Sequence, residues 1–125
     1  MLNTKKLLTR MLKAIGFWES TSITTEYGTA YVQRTFNVVT VMFEGLSKPL
    51  THGSYVQLFS LGANVRPMRT IRFLAFDNTT GNVSNLSLVG YINDAGDCYV
   101  WVYSGNGTNV APRFSVTYVR TGSLT

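Results

Sequence analysis

The spacing of apolar residues changes once along the chain, from helical spacing at the start to strand-like alternation from residue 29 onward. Residues 1–16 carry apolar side chains at i, i+3, i+4 and i+7 spacing, with lysine and arginine on the opposite side. The apolar positions of this helical face are Leu7, Leu8, Met11, Leu12 and Ile15. We therefore predict an amphipathic α-helix over residues 1–16. A helix of this length is marginally stable alone, so its apolar face requires a partner.

Three kinds of partner suit the predicted helix. Leu8, Met11 and Ile15 have the a–d–a spacing of a heptad, which favours self-association in a short helical bundle. The same face also suits packing against the rest of the protein or another protein, or against a membrane surface. We predict oligomerisation through Leu8, Met11, Leu12 and Ile15.

Residues 29–125 contain short runs of alternating apolar and polar side chains, separated by Gly, Pro, Asn and Asp. In the clearest run, Cys98, Val100 and Val102 face one way, and the intervening aromatic residues face the other. Further runs occupy residues 30–45, 54–61, 70–76, 83–92 and 113–120. In NDAGD (93–97), a glycine suited to positive φ indicates a tight hairpin. Six or seven short strands with regularly spaced turn signals indicate an antiparallel sandwich or barrel.

The predicted fold class is therefore all-β: an antiparallel β-sandwich, jelly-roll-like, preceded by a short N-terminal α-helix. The 125 residues suffice for one such domain. We predict a helix over residues 1–16, a linker over 17–28 and a β-sandwich head domain over 29–125. The linker is assigned where Ser and Thr follow Phe17 and Trp18 without clear alternation.

The net charge of +5 is concentrated at the beginning of the chain. Lys5, Lys6, Arg10 and Lys13 supply four positive charges, and the rest has seven basic residues against six acids, about +1 net. A nucleic-acid-binding body normally has a concentrated basic face, so we expect no nucleic-acid partner. No run of about 18 apolar residues exists, so we expect no membrane span. Polar residues interrupt the apolar stretch near the start, and we expect no signal peptide there.

Candidate catalytic and metal-ligating groups are few. The single Cys98 excludes an internal disulfide, and the single His52 lies in a predicted turn. Asp94 and Asp97 have a spacing that would suit calcium, but a hairpin turn explains both residues without a metal. We predict no catalytic residue, no metal site and no cofactor.

An aromatic row of Tyr99, Trp101 and Tyr103 occupies the second face of the 98–104 run. Such a row is either buried, in the core or against another subunit, or exposed as a platform on which sugar rings stack. Asn106 and Asn109 follow in the next loop and suit hydrogen bonding to sugar hydroxyls. For the platform alternative, we predict a ligand-binding site formed by these five residues.

Three separated motifs carry a family resemblance. They are LGANVRP (61–67), INDAG (92–96) and the aromatic end of the last strand run, and the matching residues are Leu61, Gly62, Arg66, Pro67, Ile92, Gly96 and Tyr118. Over roughly residues 30–120, the chain resembles the C-terminal head domain of bacteriophage tail-fibre and receptor-binding proteins. It departs from that pattern at Val65, where the family usually has Tyr, and at Ala63-Asn64 in place of Leu-Pro.

The resemblance implies a homotrimeric β-sandwich on a virion, assembled in the bacterial cytoplasm, that contacts other virion proteins and binds host cell-surface saccharide. Sites in such trimers often lie between subunits, so no binding residue is transferred from the family. The alternative is a purely architectural fibre or decoration protein without its own receptor. A polysaccharide-degrading enzyme is disfavoured by the scarcity of acid/base groups.

Overall fold

The computed structural model describes residues 4–14, 18–50, 53–77, 87–102 and 109–120. Helix α1 spans Thr4–Ala14, within the segment predicted as helical. The strands in chain order are β1 (Trp18–Thr25), β2 (Gly28–Thr35), β3 (Val38–Gly45), β4 (Lys48–Pro49), β5 (Ser54–Ser60), β6 (Ile71–Asp77), β7 (Ser87–Ile92), β8 (Asp97–Val102), β9 (Asn109–Val110) and β10 (Pro112–Val119). One short helix before an antiparallel β-structure confirms the predicted all-β, sandwich-like fold class.

Two local predictions differ from the structure. The segment 17–28 was predicted as a linker, but Trp18–Thr25 forms β1 and pairs with β2 along its full length. Its β-branched Thr and Ile residues favour a strand, although its face toward the core is too polar to give an apolar alternation. The run 30–45 is not one strand, because Phe36 and Asn37 form the turn between β2 and β3. Phe36 has a φ of 53°, in the left-handed region that phenylalanine rarely adopts, so the residue type does not predict a turn here.

Eight strands form a curled antiparallel sheet in the order β1-β2-β3-β10-β6-β7-β8-β5, and β4 pairs with β9 in a second, two-stranded sheet. Strand β10 pairs with β3 over seven positions but with β6 only at Pro112–Asp77 and Arg113–Phe76. The β10–β6 junction therefore divides the large sheet into two four-stranded halves. We refer to them as the β1–β2–β3–β10 half and the β5–β8–β7–β6 half.

The core lies between these halves and is held by aromatic rings from both. Phe43 of β3 stacks on Phe59 of β5 with ring centroids 5.3 Å apart. Phe114 of β10 stacks on Phe73 of β6 at 4.2 Å. Each stack joins one half of the sheet to the other. An aromatic pair of this kind adds about 0.5–1.5 kcal/mol to the stabilisation from burying the rings. The predicted alternation is confirmed for Cys98, Val100 and Val102, which are all buried. Two more strands bury alternate residues in the core: Val39, Val41 and Phe43 in β3, and Leu88, Gly90 and Ile92 in β7.

A β-bulge in β5 brings the two edges of the curled sheet together. Gln57 pairs with Tyr99 and Phe59 with Cys98, so Leu58 is an extra residue. Leu58 and Phe59 are consequently both buried. The carbonyl oxygen of Leu58 accepts a hydrogen bond of 2.9 Å from Thr25 Oγ1 in β1, the opposite edge strand.

Residues 61–70 cross from β5 to β6, which are not neighbours in the sheet. Strands β6, β7 and β8 are consecutive neighbours and β5 lies beside β8, so these four strands form a Greek key with 61–70 as its long connection. Leu61, Val65 and Pro67 are buried. The amide of Leu61 donates to the carbonyl of Gly96 at 2.9 Å, which attaches the connection to the β7–β8 hairpin.

Candidate functional site

The outer surface of the β5–β8–β7–β6 half has side chains aligned in two rows across the strands. The registers of the three strand pairs place one row at Tyr55, Trp101, Val89 and Leu74, and the next at Gln57, Tyr99, Tyr91 and Arg72. We call these eight residues the aromatic face. They share one side of the sheet because strand residues two apart point the same way and the registers align all four strands.

Four aromatic rings contact one another on this face. Tyr55 makes edge contacts with Trp101 and with Tyr91, at centroid distances of 5.0 and 5.1 Å. Tyr91 stacks on Tyr99 at 5.1 Å. The guanidinium carbon of Arg72 lies 5.9 Å from the centroid of Tyr91, within the range of a cation–π contact. These contacts join the four rings into a single patch.

The patch lies on the outside of the fold. Tyr55 is 44% exposed and Leu74 is 63% exposed, while Tyr91, Tyr99 and Trp101 are half-buried. Of the two alternatives for the aromatic row, burial in the core therefore does not apply to Tyr99 and Trp101. Burial of this face against another subunit and use of it as a ligand platform both remain compatible with its exposure.

A shallow groove of about 490 Å³ runs along part of the aromatic face. Its lining consists of Tyr55, Arg72, Phe73, Leu74, Val89 and Gly90. At Gly90 a Cβ atom would lie 2.6 Å from the Phe73 ring, so glycine lets that ring pack closely beneath the sheet. The volume falls within the approximately 300–1,000 Å³ range typical of small-ligand sites.

A polar cluster lies beside the aromatic face at the β5 edge. Ser60 Oγ donates to Asp97 Oδ1 at 2.7 Å. Gln57 Nε2 donates to Ser60 Oγ at 3.0 Å and to Asp97 Oδ1 at 3.3 Å. Because Gln57 is paired with Tyr99, this cluster places amide, hydroxyl and carboxylate groups next to an aromatic ring. That combination suits a ligand with both apolar ring faces and hydroxyl groups.

Burial within the patch raises the pKa of Tyr91 above its ordinary value, and the neighbouring Tyr99 and Tyr55 raise it further. A tyrosine phenol is neutral at physiological pH even at its ordinary pKa, and these shifts keep Tyr91 neutral. A neutral phenol can both donate and accept a hydrogen bond, as recognition of a sugar hydroxyl requires.

The structure brings together only part of the predicted ligand-binding set. Tyr99 and Trp101 lie on the aromatic face, whereas Tyr103 and Asn106 lie outside the described residues. Asn109 lies in β9, opposite Pro49 in the two-stranded sheet, and in neither transverse row. The sequence reasoning missed Tyr55, Tyr91, Arg72, Gln57, Ser60 and Asp97 as members of this surface. Each lies in a recognisable strand or turn, but their proximity depends on strand register.

The predicted oligomerisation residues lie on or beside α1. Leu8 and Met11 are each 55% exposed, so their side chains are available to a partner. Leu12 is also within α1, and Ile15 lies outside the described residues. Among the residues that the structure covers, no helix combines the length and apolar character needed to cross a membrane.

The NDAGD segment forms the expected hairpin turn. Asn93 Oδ1 accepts hydrogen bonds from the amides of Ala95 and Asp97 at 3.1 and 2.9 Å. Gly96 has a φ of 90°, the positive value expected there. Within the described ranges, no three His, Cys, Asp or Glu side chains are grouped to hold a metal ion. His52 lies outside those ranges.

Comparison with models of known protein families found no match, and comparison with curated proteins also found none. The resemblance to phage tail-fibre head domains therefore remains a prediction based on the short motifs named above.

Proposed function

We propose that the protein is a bacteriophage virion protein resembling a tail-fibre tip, which binds host cell-surface saccharide as a homotrimer. The observation that carries the proposal is the aromatic face, where one exposed and three half-buried rings adjoin a groove and a polar cluster. Sugar rings stack on aromatic side chains through their apolar C–H faces, and their hydroxyls require polar partners nearby. The proposal contains no catalytic step.

The two residues proposed to contribute most to binding are Tyr55 and Trp101. They lie directly opposite each other on neighbouring strands and contact through their ring edges. Tyr55 is also a lining residue of the groove. A single shallow site of this kind gives weak affinity, and three copies displayed on one particle raise the apparent affinity through avidity.

The proposed trimer is supported by the exposed apolar side of α1. Leu7, Leu8 and Met11 are 46–55% exposed, and a short helix with such a face gains stability from packing against copies of itself. On this proposal, α1 forms a three-helix neck or attaches the protein to other virion proteins. The measurement is the solution mass by light scattering, and a monomer at micromolar concentration would contradict the homotrimer.

Saccharide binding is tested with a panel of neutral and acidic bacterial surface polysaccharides, using the wild type, Trp101→Ala and Tyr55→Ala. We expect both substitutions to weaken binding at least about fivefold, by analogy with bases stacked on aromatic side chains, where each contact contributes about 1–3 kcal/mol. Tyr31→Ala is the matched control, because Tyr31 is 48% exposed on β2 in the other half of the sheet. Equal loss in all three variants, or no binding by the wild type, would contradict the proposed site.

A second function is favoured by one specific observation. Leu74 and Phe76 are 63% and 47% exposed on the same side of β6. Apolar side chains arranged in this way are also typical of a contact between proteins. In this alternative, the protein is an architectural fibre or decoration protein, and the aromatic face packs against a neighbouring subunit. Slower oxidative labelling of the exposed Leu74 and Phe76 side chains in the assembled particle than in the free protein, without saccharide binding by the free protein, would favour it.

A further inference from the structure

The second row of the aromatic face has different chemistry at its two ends. It runs from Gln57 on β5 through Tyr99 and Tyr91 to Arg72 on β6. Four strands at their usual spacing place these ends about 14 Å apart. One end therefore has a guanidinium group and the other a carboxamide, with two stacked phenol rings between them.

Arg72 is well placed to contact a ligand in the groove. It is exposed, it lines the groove, and its guanidinium group lies beside the Tyr91 ring. Two ion pairs occur among the described residues, Lys48–Glu26 and Arg113–Glu44, and neither involves Arg72. A guanidinium group has a planar set of N–H donors that matches the two oxygens of a carboxylate.

The opposite end disfavours an anion. Asp97 has its carboxylate oriented toward Ser60 and Gln57, from which it accepts hydrogen bonds. A second carboxylate placed there would be repelled by Asp97, whereas a neutral hydroxyl would find both donors and acceptors. The charge distribution of the row therefore distinguishes the two ends of a bound saccharide.

On the basis of the saccharide-binding function proposed above, we propose that the ligand is an acidic saccharide, with a sugar carboxylate bound by Arg72 and neutral hydroxyls at the Asp97 end. Between these ends the saccharide contacts the ring edges and hydroxyl groups of Tyr91 and Tyr99, because their ring faces pack on each other and, for Tyr91, on Arg72. The carboxylate forms charge-assisted hydrogen bonds with the guanidinium group, and this contact supplies the selectivity over neutral sugars.

The experiment uses uronic-acid-containing polysaccharides in two forms: native, and with the carboxyl groups chemically reduced to primary alcohols. Neutral polysaccharides complete the panel. Binding is measured for the wild type, Arg72→Met, Arg72→Lys and Arg69→Met. Arg69 is exposed in the neighbouring 61–70 connection and controls for loss of general positive charge. Because Arg72 is exposed, we expect its replacement to leave the fold intact, which circular dichroism verifies.

We expect the wild type to bind at least one native acidic polysaccharide about tenfold more tightly than its reduced form. Arg72→Met should abolish that difference, Arg72→Lys should retain part of it, and Arg69→Met should retain it all. Binding only to neutral saccharides, or undiminished selectivity in Arg72→Met, would overturn the acidic-ligand inference while leaving saccharide binding intact. Failure of the wild type to bind any polysaccharide in the panel would overturn both the acidic-ligand inference and the proposed saccharide binding.

Discussion

The hydroxyl group of Tyr118, near the end of β10, donates a hydrogen bond to the carbonyl oxygen of Val65, which lies 53 residues earlier in the chain. This contact fixes the middle of the Greek-key connection to the β1–β2–β3–β10 half. Two guanidinium groups bind the preceding carbonyls: Arg120 Nη1 donates to Ala63 at 2.8 Å, and Arg34 Nη1 donates to Asn64 at 2.5 Å. Three consecutive carbonyls of the connection thus have side-chain donors from β2 and from the end of β10.

Tyr118→Phe should reduce the free energy of unfolding by about 1–3 kcal/mol, because it leaves the carbonyl oxygen of buried Val65 without its phenol donor. Urea unfolding followed by circular dichroism measures the change. Tyr31→Phe removes a hydroxyl from an exposed tyrosine on β2 and should change the midpoint little. Equal midpoints for wild type and Tyr118→Phe would contradict a structural role for the hydrogen bond.

Three glycine-to-alanine variants distinguish the cost of a positive φ from the cost of close contact between the added Cβ atom and its neighbours. At Gly96, φ is +90° and a Cβ atom would lie 2.6 Å from the Leu61 carbonyl oxygen, so Gly96→Ala should destabilise by more than about 2 kcal/mol. Gly53 has a φ of +76° with open space around the added atom, and alanine there should cost about 1 kcal/mol.

Gly62 is the control for this series, since it has open space and no strained φ, and Gly62→Ala should be near neutral or slightly stabilising. Thermal unfolding of the three variants gives the order directly. A Gly96→Ala protein as stable as Gly62→Ala would show that the connection does not pack against the hairpin as described.

Stability should fall at alkaline pH. Burial raises the pKa of the Tyr118 phenol and of the Cys98 thiol above their ordinary values. The unfolded chain therefore loses these protons at about pH 8.5–10, while the folded chain retains them. The associated stability is fully present below that range and decreases as pH rises from each unfolded pKa toward the higher folded one, by up to about 1.4 kcal/mol per pH unit for each group.

Urea titrations between pH 7 and 11 measure this dependence. Tyr118→Phe removes one of the two groups, so its free energy of unfolding should fall less steeply above pH 10. Identical slopes for variant and wild type would mean that Tyr118 does not contribute.

The proposed trimer should depend on α1. Leu8→Glu and Met11→Glu place charge on the exposed apolar face of the helix, and we expect a shift from trimer to monomer in light scattering. Leu46→Glu changes an equally exposed leucine in the connection between β3 and β4 and should leave the mass unchanged. Retention of the trimer by both helix variants would locate the oligomer contact elsewhere.

The strands that alternate clearly could be predicted from the sequence alone. Val39, Val41 and Phe43 are apolar on one side and indicate the strand character of β3, although the run 30–45 did not reveal where β2 ends and β3 begins. Strand β1 could not be identified in this way, because its inward positions include Glu19 and Thr21. The turn at Phe36 was missed because a phenylalanine in positive φ is held there by its surroundings and not by its own preference.

Only part of the candidate site could be predicted from the sequence, and the reason differs from that for β1 and the turn at Phe36. Tyr99 and Trp101 are visible as a pair two residues apart on one strand, whereas Tyr55 and Tyr91 join them only through the registers of β5 and β7. A shift of one residue in either register would turn those tyrosines toward the core side. Register depends on the whole sheet, including the bulge at Leu58, so local patterns do not specify it.

The central position of β10 also constrains when the protein can fold. The other strands precede β10 in the chain, yet it lies between β3 and β6 and supplies the Phe114 ring that stacks on Phe73. A growing chain on the ribosome can therefore form the hairpins of either half early, but the two halves cannot join until β10 has emerged. Until then, the unpaired edges of β3 and β6 and the apolar surfaces beneath them remain open to pairing with other chains.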